Sequence, residues 1–173
     1  MVKNLFNVLK KDPYALTGVL IYLFFILVAI FADLIAPNDP LRILFNSGGL
    51  ARNIDPGREF LLGTTSNGRD IFSQLVYGSR NALYVGLTAA LAVALVGTIV
   101  GLISGYFGGW LDNLIMRCAD ITLGIPFLPF VIVLAAFLGP SSWNVVIAIS
   151  ILLWPNSGRV IRSQVLSLRE RAY

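Results

Sequence analysis

Uncharged apolar stretches alternate along this chain with short segments that carry its charges. A hydrocarbon core of ~30 Å needs roughly 20 apolar residues per helix, and runs of that kind recur here. The first extends from Pro13 to Ala32 and past Asp33 to Ala36, where Pro37, Asn38, Asp39 and Pro40 stop it. It is longer than the apolar region of a secretory signal, ~7 to 15 residues, and reads as a retained membrane helix. The second runs from Ala82 to about Phe107, the third from Ile121 to Leu138 and the fourth from Trp143 past Trp154 to Arg159. Pro126 and Pro129 fall in the third and Pro155 in the fourth, where each removes a backbone hydrogen bond and favours a kink, so the three are candidate gating kinks.

Between the first two runs the pattern changes to mixed charge broken by Gly48, Gly49, Pro56, Gly57 and Gly63, an extramembrane loop from Asn38 to Arg80. Its distal part predicts a short amphipathic helix. Asn67 and Asp70 resemble a capping box, and Ile71, Phe72, Leu75 and Val76 share one face, so this helix is expected to lie along the interface. The predicted fold is therefore all-α, a polytopic transmembrane bundle with four spans. It divides into an amino-terminal tail and first span (1–37), the loop (38–80) and a core of three spans (81–173). Within the second run Gly86, Ala90 and Ala94, then Gly97, Gly101 and Gly105, form a stripe of small residues that would let another helix approach closely. Asp112, Arg117 and Asp120 read as a short charged connection, with Asp120 the expected cap of the third span.

Composition agrees with a bilayer as the folding solvent, at 57% hydrophobic and 13% charged residues. The net charge of +4 comes from basic residues at membrane borders, without the interleaved aromatics of a nucleic-acid surface. With the amino terminus inside, the inner segments hold eight Lys and Arg, including Lys3, Lys10, Lys11, Arg117, Arg159, Arg162, Arg169 and Arg171. The outer ones hold five, so the positive-inside rule places the amino terminus and the segment Arg159–Tyr173 in the cytoplasm of a multi-pass cell-membrane protein.

The missing groups are informative too. The chain has no histidine and one cysteine, Cys118, which excludes disulfides, histidine-based triads and zinc sites of its own. No carboxylate lies between Arg80 and Asp112 or between Asp120 and Arg159, whereas proton-driven carriers place a titratable group inside the bilayer. Nor is there a G-x-x-x-x-G-K-[ST] run to cradle ATP. The chain reads as a non-enzyme that binds no cofactor, and any power for transport must come from another subunit. A membrane structural or assembly protein is the alternative.

Three stretches carry a family resemblance that covers nearly the whole chain. Gly63, Thr64, Gly68, Arg69 and Asp70, followed by Ser73, Tyr77, Gly78 and Arg80, are similar to a GTD-x-x-GRD segment, with Thr65 in place of the aspartate. Gly105 to Trp110 with Asp112, Met116, Arg117 and Asp120 resemble a GYFGGW-x-D stretch. Trp154, Pro155, Arg159, Arg162, Gln164 and Leu166 to Glu170 with Tyr173 resemble the lead-in to a cytoplasmic coupling loop. The family is the second membrane subunit of ABC importers for dipeptides, oligopeptides and nickel, the binding-protein-dependent permeases.

The resemblance implies a pore built with a second, homologous permease subunit, an external substrate-binding protein, and two cytosolic ATPase subunits that bind the ATP. It implies that Arg159, Arg162, Leu168, Arg169, Glu170, Arg171 and Tyr173 lead into the ATPase-coupling segment. It also implies six spans, of which four are present. The chain would then be a fragment or a truncated product, unable as it stands to couple ATP hydrolysis to transport.

Overall fold

The computed structural model describes residues 12–46 and 48–169, and the chain divides into two compact units at Leu83 and Tyr84. In the first unit, α1 (Pro13–Ile30) starts where the Asp12 carboxylate accepts hydrogen bonds from the N–H groups of Tyr14 (3.0 Å) and Ala15 (3.4 Å), with Pro13 at the first helical position. Ala29 is the only buried residue of α1, and its Leu, Phe and Ile side chains face outward, as an apolar span against lipid requires. A single turn, α2 (Ala32–Ile35), follows.

The loop from Asn38 is held by its own polar groups. Strands β1 (Phe45–Asn46) and β2 (Gly49–Leu50) pair antiparallel, and the Leu44 N–H donates to the Gly68 carbonyl at 2.8 Å. Buried Thr64 donates its hydroxyl to the Ala51 carbonyl (2.6 Å) and accepts from the Ile54 N–H (2.9 Å). Gly63 has φ +78° and faces the Ile54 carbonyl so closely that a Cβ would collide, so no other residue fits there. Thr65 closes the next turn: its hydroxyl accepts from the Arg69 N–H at 3.1 Å and its carbonyl from the Gly68 N–H at 2.9 Å. The hydroxyl therefore supplies the local acceptor that an aspartate would offer there.

Helix α3 (Ile71–Phe107) begins at Asp70, not at Asn67. The buried Asp70 carboxylate accepts from the N–H groups of Phe72 (3.2 Å) and Ser73 (3.3 Å), the Ser73 hydroxyl (2.6 Å) and the Asn38 amide (3.4 Å). The turns expected as a separate interfacial helix are the first turns of α3 itself. No proline interrupts the backbone between Ile71 and Phe107, and Gly78, where the expected loop helix meets the span, does not by itself end a helix whose neighbours all continue it. Arg80 fastens the first unit: its guanidinium donates to Asp33 (2.9 and 3.2 Å) and to the carbonyls of Ala29 (2.7 Å) and Ile30 (3.2 Å), while the Tyr77 hydroxyl donates to Asp33 at 2.7 Å. These are the C-terminal carbonyls that α1 leaves without intrahelical partners.

In the second unit α3 is followed by α4 (Gly109–Gly124), α5 (Phe127–Leu138) and α6 (Ser142–Arg169). The third span expected from Ile121 to Leu138 is not one helix, because α4 and α5 meet at 89° across Ile125 and Pro126. A residue before proline is driven out of the helical region, and Ile125 is extended at φ −80°, ψ 125°. Pro129 lies in the first turn of α5, where its missing N–H removes no intrahelical bond, so it is no kink. Likewise Asp120 does not cap the third span. It sits inside α4, as do Asp112 and Arg117.

Gly139, at φ +85°, ends α5, and the Asn144 amide donates to the carbonyls of Leu138 (2.8 Å) and Gly139 (2.9 Å) at that end. Among the described residues three helices, or up to four spans if the bent pair counts as one, are long and apolar enough to cross a membrane.

Candidate transmission site at the basic end of the last helix

Helix α6 lies on α3 along a seam where glycines of α3 receive the Ser157, Ile161 and Val165 side chains of α6. A Cβ at Gly97 would come within 2.5 Å of Ser157 Cβ, one at Gly101 within 2.5 Å of the Gly158 carbonyl, and one at Gly105 within 2.8 Å of Val165 Cβ. All three glycines are buried. Close backbone approach of this kind is how helices associate in lipid, where packing replaces the hydrophobic effect as the driving force. The other half of the stripe behaves differently, since Gly86, Ala90 and Ala94 are exposed and nothing lies within 4 Å of a Cβ at Gly86. Next to the seam, Ala94, Thr98, Asn156, Ser157, Val160 and Ile161 line an open groove of about 430 Å³.

Beside Gly101 and Gly105 the contact becomes ionic. Asp112, in the first turn of α4 and 7% exposed, receives a two-point fork from Arg162 on α6, Nε to Oδ1 at 2.6 Å and Nη2 to Oδ2 at 2.5 Å. The buried Ser104 hydroxyl of α3 donates to the same carboxylate. Three helices thus meet at one carboxylate. A planar guanidinium matches a carboxylate bidentately as an ammonium cannot, which fixes orientation as well as charge.

Two further arginines flank the fork. Arg159 donates to Asp120 at 2.5 Å, and Arg117 stands 3.8 Å from the same carboxylate. Arg169 reaches the carbonyls of Gly105 (3.5 Å) and Tyr106 (3.3 Å) at the negative end of α3. The chain turns from α3 into α4 at Gly108, φ +64°, directly under the Arg169 guanidinium.

Of the residues read as the coupling lead-in, Arg159, Arg162 and Arg169 are engaged in these contacts. Leu168 is an exposed apolar side chain beside them, and Glu170, Arg171 and Tyr173 lie outside the described residues. Sequence reading missed Asp112 and Ser104 as partners of Arg162, because 50 residues separate the carboxylate from the guanidinium. The available signal was that Asp112 is the only carboxylate in the long interval from Arg80 to Arg117. Among the described residues no group of three or more His, Cys, Asp or Glu side chains is placed to hold a metal.

Comparison with known proteins places this geometry. Residues 97–173, which contain the seam and the fork, match the model of the family described as binding-protein-dependent transport system inner membrane component. Residues 2–56 match that of the N-terminal TM domain of oligopeptide transport permease C. The chain belongs to this family of inner-membrane transport components. It is 42% identical over 171 residues to the dipeptide transport system permease protein DppC of Alkalihalophilus pseudofirmus, covering 99% of this chain and 55% of that protein. It is 33% identical over 165 residues to the Bacillus subtilis protein of the same name, covering 95% of this chain and 50% of that protein. With the oligopeptide transport system permease protein OppC of Bacillus subtilis the identity is 35% over 164 residues, 95% of this chain and 52% of that protein. The chain spans about half the length of the curated relatives it matches. The family is one of membrane components, and the apolar helices of this chain agree with that location.

Proposed function

We propose that this chain is membrane-spanning sequence of the non-catalytic, pore-forming permease subunit of an ATP-driven importer of dipeptides or oligopeptides. The observation that carries the reading is the likeness to dipeptide and oligopeptide permeases along 95 to 99% of the chain. The geometry supports it, because the basic end of α6 is tied to α3 and α4 and so forms a firm attachment for a driving subunit. ATP hydrolysis belongs in this reading to two cytosolic ATPase subunits, substrate delivery to an extracytoplasmic binding protein, and the other half of the pore to a second permease subunit. The amino terminus and the carboxyl end of α6 face the cytoplasm. Thr98, Asn156 and Ser157 bring uncharged hydrogen-bonding groups to the groove beside the seam, which suits the amide groups of a peptide in transit.

The test is uptake of a radiolabelled dipeptide into proteoliposomes containing the assembled transporter whose permease subunit includes this sequence. Uptake should require both ATP and the binding protein. Uptake that persists without ATP, or its absence for every dipeptide and oligopeptide the binding protein retains, would refute the reading.

A further inference from the structure

The seam and the fork differ in what they resist. The α3 glycines and the Ser157, Ile161 and Val165 side chains of α6 are held by dispersion contacts, which oppose separation but are less directional than hydrogen bonds. Hydrogen bonds to a carboxylate weaken steeply when the angle or distance changes, so they fix position along the seam. In this chain the directional contacts concentrate at one end. Arg162 grips Asp112 of α4, Ser104 of α3 holds the same carboxylate, and Arg169 grips the last carbonyls of α3 on the far side of the Gly108 joint. A rotation of α6 about its axis must therefore either break the fork or carry α3 and α4 with it.

We propose that the Arg162–Asp112 fork is the positioning contact that converts movement of the carboxyl end of α6 into joint movement of α3 and α4. The inference rests on the function proposed above and goes further by naming the residues that carry the motion. Arg162 and Asp112 act here through the helices they join, and neither has to touch peptide or nucleotide. Asp112 is buried while Arg162 is partly exposed, so water has limited access to the carboxylate side of the fork.

The assembled transporter is the system for the test, with peptide imported per ATP hydrolysed as the readout. Arg162→Lys keeps the charge but loses the two-point grip, and Arg162→Gln loses the charge as well. Both are expected to hydrolyse ATP while the import ratio falls by roughly fivefold or more, the size of an ordinary coupling between sites. The exchanged pair Asp112→Arg with Arg162→Asp should recover much of the ratio. An unchanged ratio in Arg162→Lys or Arg162→Gln overturns the proposal, and so does an exchanged pair no better than Arg162→Gln.

If Arg162→Gln fails to assemble, Arg162→Lys and the exchanged pair decide by the same criteria. Spin labels on Asn113 of α4 and Ser163 of α6 provide a second measurement that needs no transport. Their distance distribution should be narrow in the native chain and broad in Arg162→Gln, and an equally narrow distribution in the variant also overturns the proposal. A native transporter that imports no peptide would sink the functional reading, while the spin-label result would still judge the fork.

Discussion

Asp33 and Asp112 show how one side chain type serves two ends in the same chain. Asp33 sits at the surface, where the Arg80 guanidinium and the Tyr77 hydroxyl hold its carboxyl below the usual carboxylate range. A lowered folded-state pKa means that the contribution to stability is complete above the unfolded value of ~3.9 and disappears as the pH falls through the lower folded value. Thermal denaturation of the native chain and of Asp33→Asn should therefore differ by a constant amount above that value. The gap should narrow on acidification below it, and a gap unchanged into strong acid would rule out the ionic origin. Asp112 is nearly enclosed, and stripping it of Arg162 leaves a charge with little access to water, a change that typically costs about 3–5 kcal/mol. Glycines divide in the same manner. Gly101→Leu forces atoms into the Gly158 backbone and should destabilise the second unit by about 1–3 kcal/mol or more, whereas Gly86→Ala meets open space and should leave the melting temperature of the isolated chain unchanged or slightly raised. Equal losses at the two positions would show that the seam is misplaced.

Helix ends are where backbone chemistry overrides hydrophobic pattern. The apolar run through Ile121 and Leu138 is continuous in composition, but Pro126 makes its predecessor extended and the two helices diverge by 89°. Pro126→Ala should let the helix propagate, bringing spin labels on Cys118 and Val133 to the separation of a straight helix, ~1.5 Å per residue. Pro129→Ala should leave that distance as it is in the native chain, because the first turn of α5 needs no hydrogen bond from its third residue. If Pro129→Ala straightens the pair, the break has another cause. Among the proposed gating kinks this singles out Pro126. Pro155, buried in the middle of α6, interrupts no more than a local stretch of an otherwise continuous helix.

For the assembled protein the decisive matter is which side of the membrane each end of a helix occupies. Cys118 is the only cysteine of the chain, is exposed, and lies between Arg117 and Asp120 on α4, so it is a native reporter of the face that carries the fork. A membrane-impermeant maleimide should label it in inside-out vesicles and spare it in intact cells. Labelling from the outside of intact cells would place Arg162 and Arg169 beyond the reach of any cytosolic motor. What the sequence determined alone was the choice of solvent, the all-helical class, the approximate spans and the basic exit, because these follow from residue type and short-range periodicity. Caps and turns were half legible. The glycines of the loop motif were visible in the sequence, but which carboxylate would begin α3 depended on Asn38 and Ser73 arriving beside Asp70. The tertiary structure alone decided that Asp112 pairs with Arg162 and that half of the small-residue stripe is covered while the other half is open. Each of these depends on which residues, tens of positions apart, the backbone path brings within hydrogen-bonding or van der Waals distance, and no local pattern encodes that separation.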